Sequence, residues 1–153
     1  MKAVGIDLTG SENRPSGLAF LNDNRLIKTG RLKSDSEILG FVFDHVPDVV
    51  SIDSPLSLPE DPKKIYRDCE LTLKRRGIGV YWCLLPSMEK LTRRGIGLAA
   101  MIRHYGYKVI ESYPGAAQDV LNIPRKMYQQ MYPKLKGHID CSIILRKNIM
   151  FFM

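Results

Sequence analysis

A chain of 153 residues, 44% apolar and 25% charged, has the composition of one soluble domain large enough to bury a core. No apolar run approaches the ~20 residues of a membrane helix, and the N-terminus enters a strand pattern with no apolar leader, so no membrane role is expected and the cytoplasm is the expected setting. Lys and Arg number 23 against 16 Asp and Glu, and the net charge of +7 suits a polyanionic partner without naming one.

Residues 2–8, 16–21 and 25–32 read as three strands. The "NDN" between the second and third tolerates left-handed backbone, so a hairpin and an opening antiparallel meander are predicted. In "SDSEILGFVFDHV", apolar residues at 38, 39, 42, 43 and 46 follow helical spacing, with Ser34, Asp35 or Ser36 as N-cap. Residues 48–53 form a strand that is nearly all apolar up to Ser51, the pattern of a strand covered on both faces. Asp61 and Pro62 then open a predicted helix that ends at Gly77, with Ile65, Cys69 and Leu73 as its inner stripe. A helix follows over about 87–105, with Met88, Leu91, Leu98, Ile102 and Tyr105 as its stripe. "YKVIESY" is a strand closed by Pro114, "GAAQDVLN" a short helix, and a final helix is predicted from about His138. The order β-β-β-α-β-α-α-β-α-α implies an α/β domain with a mixed sheet and helices on its faces.

Two acids stand out because each closes a short apolar strand: Asp7 in "MKAVGIDLTGS" and Asp53 in "VVSIDSPLSLP". Strand ends are where polar groups reach solvent on a rigid frame. If the two strands are neighbours, the carboxylates repel unless protonated or bridged by a cation, and all-oxygen ligation suits Mg²⁺ or Mn²⁺. Glu111 in "VIESYP" and Asp140 in "GHIDCSII" are further candidates; on a helical wheel Asp140 falls between Ile143 and Ile144. Three or four acids at one edge is the composition of a two-metal phosphodiester site.

"GIDLTGS", "SIDSPLSLP", "RDCELTLKRRGI", "VIESYPGAAQDVL" and "HIDC", in this order, resemble the predicted-nuclease family called domain of unknown function 429. The resemblance spans most of the chain. It implies a single ribonuclease H-like domain whose sheet has three antiparallel strands continued by parallel ones. It also implies an acidic site at Asp7, Asp53 and Asp140 with Glu111 a fourth member, and metal-dependent nuclease activity. Arg67, Arg75 and Pro114 match recurrent family positions. The chain departs from the family after Asp140, where Cys141 and Ser142 follow and the predicted last helix is short or altered.

Other readings stand beside these. Asp7 and Asp53 are also placed to cap the turns that follow them, Glu111 to pair with a basic side chain, and Asp140 to serve the start of a helix. His138 is a base or a cap. Arg75, Arg76, Arg93 and Arg94, with Lys74, form a basic cluster suited to phosphates or to solvated helix ends. "RRGIG" occurs at 75–79 and 93–97, in different predicted contexts, which favours coincidence. Tyr81 and Trp82 suit base stacking, although their apolar neighbours favour the core. Cys69, Cys83 and Cys141 lack C-x-x-C spacing and read as reduced, buried thiols. Two other functions compete with the nuclease. One is a non-catalytic basic nucleic-acid-binding module. The other is a phosphate-transferring relative of the actin-like and sugar-kinase fold, which needs two such domains and a second phosphate motif.

Overall fold

The computed structural model describes residues 1–23 and 25–122. Strands β1 (Lys2–Asp7), β2 (Ser16–Asn22) and β3 (Arg25–Leu32) form the antiparallel meander. Asp23 takes a φ of 48° in the hairpin, the left-handed conformation that its short polar side chain tolerates. Helix α1 (Asp35–His45) leads to β4 (Val49–Asp53), which pairs parallel with β1. Helices α2 (Asp68–Arg75) and α3 (Glu89–His104) precede β5 (Val109–Ser112), parallel to β4, and α4 (Pro114–Val120). The strand order β3-β2-β1-β4-β5, antiparallel then parallel, is ribonuclease H-like topology. No helix among the described residues is long and apolar enough to cross a membrane. The predicted final helix from about His138, with Asp140 and Cys141, lies outside the described residues.

Strand alternation divides the sheet into two faces. Val4, Ile6, Leu18, Phe20, Val50, Ile52 and Val109 pack against Ile38, Phe41 and Val42 of α1 and Leu98, Ala99 and Ile102 of α3. Each such large side chain stabilises by about 1.5–3 kcal/mol when fully buried. Ala3, Ala19, Leu21 and Val49 form a second buried cluster on the opposite face. Val49 to Ile52 are all buried, as expected for a strand covered on both sides.

Helix α1 starts as its sequence implies. Ser34 Oγ accepts from the Glu37 N–H at 3.2 Å and Glu37 returns a carboxylate oxygen to the Ser34 N–H at 2.9 Å. Helix α2 starts six residues later than its punctuation suggests. Asp61 makes a local turn instead, its carboxylate accepting from the Lys63 N–H at 2.9 Å. Arg67 stays extended (φ −94°, ψ 156°), and the helix begins after it. The expected inner stripe is also corrected: Ile65 and Cys69 are exposed, and the buried residue of α2 is Glu70. In α3 the buried positions are Thr92, Gly95, Leu98, Ala99 and Ile102, while Tyr105 turns outward against Phe43.

Gly95 shows why α3 reaches the end of β4. A Cβ there would stand 2.2 Å from Ser54 Oγ and 2.8 Å from Ser54 Cβ. Ser54 Oγ in turn donates to the Leu91 carbonyl at 3.2 Å. The helix therefore lies directly on the residue after Asp53 and fixes the strand's exit. The two "RRGIG" segments do different jobs: Gly77, with φ 76°, ends α2, whereas Gly95 is a packing contact inside α3.

Candidate acidic site and adjoining cavity

Asp7 and Asp53 close neighbouring parallel strands at the same edge. Ile6 registers with Ile52, so the next residue of each strand is an acid on the same face of the pleat. Glu111 registers with Ile52 and is out of phase with Asp53. Asp7 is exposed and Asp53 half-buried. The turn after β1 is closed by hydroxyls: Ser16 Oγ accepts from the Thr9 N–H at 3.1 Å, and Thr9 Oγ1 donates to the Arg14 carbonyl at 2.9 Å. The capping alternative fails for Asp53, because the residue two on is Pro55, which has no N–H to give. Among the described residues Asp53 has no hydrogen-bond donor and no ion pair.

That isolation shapes its chemistry. The Asp53 carboxyl is pushed up to about 7, first by burial and then by the charges of Asp7 and Glu111. The unfolded chain releases this proton near the ordinary 3.8. Across that interval the folded state holds more protons, so Asp53 makes stability fall as pH rises from about 4 to about 7, with no further loss above. Thermal melts in EDTA at about pH 5 and pH 8 check this. Asp53→Asn is expected to raise the melting temperature more at pH 8 than at pH 5, and an equal change at both would contradict the assignment.

Glu111 is committed elsewhere. Arg67 donates to both of its oxygens at 2.7 Å, and the Leu56 N–H donates to Oε2 at 2.8 Å. Arg67 Nε reaches Glu70 at 2.8 Å, and Glu70 also accepts from the Arg67 and Cys83 N–H groups at 3.2 and 3.1 Å. Burial would lower the Arg67 pKa, but its bonds to Glu111 and Glu70 outweigh this and hold it above its ordinary value. The network ties α2, β5 and the loop after β4 together behind the acids. Arg67 is thus the basic partner expected for Glu111, and Glu70, not among the expected site residues, carries one signal in the sequence, the Arg-x-x-Glu spacing of 67–70. Burial first, and then Glu70, push the Cys83 thiol up to about 11, in keeping with a reduced thiol that packs as an apolar group. Cys69 is exposed, contrary to the expected burial.

The four candidate arginines separate. Arg75, Arg76 and Arg93 are exposed, Arg93 bonding Glu89 one turn earlier. The Arg94 side chain is only 8% exposed and bonds Asp35, the Thr9 carbonyl and the Lys33 carbonyl at 2.8–2.9 Å. Its guanidinium fastens the turn after β1 to α1 and α3, so its donors are already engaged within the fold.

No family model matches the chain, and no curated protein matches it. The likeness that stands is one of fold, ribonuclease H-like, a fold that includes many nucleases.

A cavity of about 680 Å³ opens beside the acids. Asp53, Glu111 and Ser112 are among its polar lining, and Leu73, Ile78, Val80, Met88, Leu91 and Ala117 form apolar walls. Tyr81 also lines it and is 67% exposed, which corrects the expectation that it packs in the core. Its neighbour Trp82 is covered, with Lys74 Nζ 3.7 Å above its ring and Tyr66 at 4.9 Å. Among the described residues no three His, Cys, Asp or Glu side chains converge as a metal cluster. Two adjacent carboxylates nevertheless suit Mg²⁺, which takes one or two from a protein and keeps water for the rest.

Proposed function

We propose that the protein is a metal-dependent nuclease of the family its motifs resemble, with Asp7 and Asp53 holding Mg²⁺ or Mn²⁺ at the sheet edge. The observation that supports this most is the pair itself: two acids in phase on adjacent parallel strands, one of them half-buried and without a donor among the described residues. Such a pair is unfavourable by itself and favourable around a divalent cation. Asp140 is proposed as a third ligand and lies outside the described residues. Glu111 is proposed to orient rather than to ligate, since Arg67 and Leu56 already occupy its oxygens. When bound, the ion would supply Lewis-acid polarisation of a phosphodiester oxygen. The chain's own part is to hold the acids rigidly: Gly95 and Ser54 fix the exit of β4, and Arg94 fixes the turn after β1.

The substrate proposed is nucleic acid, with Arg75, Arg76 and Arg93 as phosphate contacts and the +7 net charge drawing the polyanion. The second reading is a nucleic-acid-binding module without catalysis, which the exposed Arg75, Arg76 and Arg93 support without calling on the acids. Incubating mixed single- and double-stranded DNA and RNA with protein and Mn²⁺ tests the choice. Metal-dependent cleavage supports the nuclease; binding without cleavage of any substrate supports the module.

A further inference from the structure

The cavity beside Asp53 has a shape and chemistry that a phosphodiester alone does not explain. Its walls are mostly apolar, and deep in it a phosphate would meet the carboxylates of Asp53 and Glu111 and an Arg67 guanidinium already bonded to Glu111 and Glu70. Its volume of about 680 Å³ lies in the range of pockets that enclose small organic groups. Asp53, Glu111, Arg67 and Glu70 supply its polar lining. At the rim are an exposed aromatic ring, Tyr81, and an exposed cation, Arg76 at the end of α2. An apolar slot, a flat ring at its mouth and a cation beside it match a flat heterocycle attached to a phosphate.

We propose that this cavity receives one unstacked base of a single-stranded nucleic acid, with Tyr81 stacking on the base and Arg76 pairing with the adjoining phosphate. The position of the strand over Asp7 and Asp53 rests on the nuclease reading; the base pocket itself does not. A base inside a duplex must be unpaired and unstacked before it enters, which costs a few kcal/mol, so single strands are preferred. Apolar and aromatic surface is sequence-tolerant, because every base has a π-face.

The experiment is fluorescence anisotropy with a short single-stranded oligonucleotide and a duplex of the same sequence, at low salt in EDTA so that no cleavage occurs. Wild type is expected to bind the single strand more tightly. Tyr81→Ala is expected to weaken single-strand binding about tenfold, the scale of losing one stacking contact. Ala117→Phe, which fills the cavity from α4, is expected to do the same while Tyr81 stays in place. Duplex affinity is expected to change little in either variant, and melting temperatures report whether each remains folded. Unchanged single-strand affinity in both variants, an equal loss for single strand and duplex, or no single-strand binding by wild type would overturn the proposal. Wild type that binds in this way but cleaves nothing in Mn²⁺ would remove the nuclease reading and leave the pocket standing. Cleavage with unchanged binding in both variants would do the reverse.

Discussion

Asp7→Asn is expected to lower Mn²⁺-dependent cleavage by at least about a hundredfold, the scale of losing one preorganised electrostatic partner of the reaction. Asn keeps the size of the side chain and removes the charge proposed to hold the cation. Asp53→Asn is expected to fall as far, because the two acids end adjacent strands in phase and are proposed to share one centre. Asp53→Asn should not lower the melting temperature in EDTA, because it replaces a carboxyl that burial first, and then Asp7 and Glu111, keep protonated up to about pH 7. Loss of activity together with retained or raised stability is therefore the signature of a site. Cleavage that survives Asp7→Asn would remove the assignment. Asp140→Asn divides ligand from helix residue. A ligand loses activity when changed, whereas Asn serves a helix start about as well as Asp.

Arg67→Met is expected to cost about 3–5 kcal/mol of stability, the range for removing one partner of a buried ion pair. The Arg67 side chain is 10% exposed and that of Glu70 2%, so the carboxylate left behind has little water to turn to. Glu111, at 36%, is better screened and adds less. For a chain of this length each kcal/mol lowers the melting temperature by roughly 2–4 °C, so a fall of more than about 6 °C is expected. Adding Glu70→Gln should recover part of it, because the orphaned charge is then gone. Urea denaturation of the single and double variants measures both numbers. A loss below about 1 kcal/mol for Arg67→Met would show that the network does not hold the structure.

The sheet was legible because its signals are local. Val4 and Ile6 before Asp7, the apolar run 49–52 and the "NDN" hairpin each carry their own conformational preference, and the topology follows from their order. The pairing of Asp7 with Asp53 was legible for the same reason: it needs only two strand ends and a parallel register. Helix α2 was misjudged at its start because Asp61 serves a turn as readily as a cap, and the choice was made by Arg67, drawn extended toward Glu111 some 44 residues away. Glu70 had only a weak signal as an inward residue: the Arg-x-x-Glu spacing of 67–70 permits the ion pair, but nothing near it in sequence shows that Glu111 draws Arg67 inward or that the Cys83 N–H meets the carboxylate. Arg94 and Arg76 carry the same neighbouring letters. One is buried by Asp35 and Thr9 and the other is left in solvent, which only the tertiary fold decides. Tyr81 lies in an apolar stretch and still faces outward, since the chain there lines a cavity rather than filling it.

Isothermal titration of Mn²⁺ into the metal-free protein at about pH 8, where Asp53 is ionised, tests the acid pair most directly. Wild type should bind the ion, and Asp7→Asn and Asp53→Asn should each weaken binding by more than about tenfold, since even groups that only orient metal ligands are worth 10–100-fold in affinity. Absence of binding by wild type, or equal affinity in all three proteins, would contradict the account.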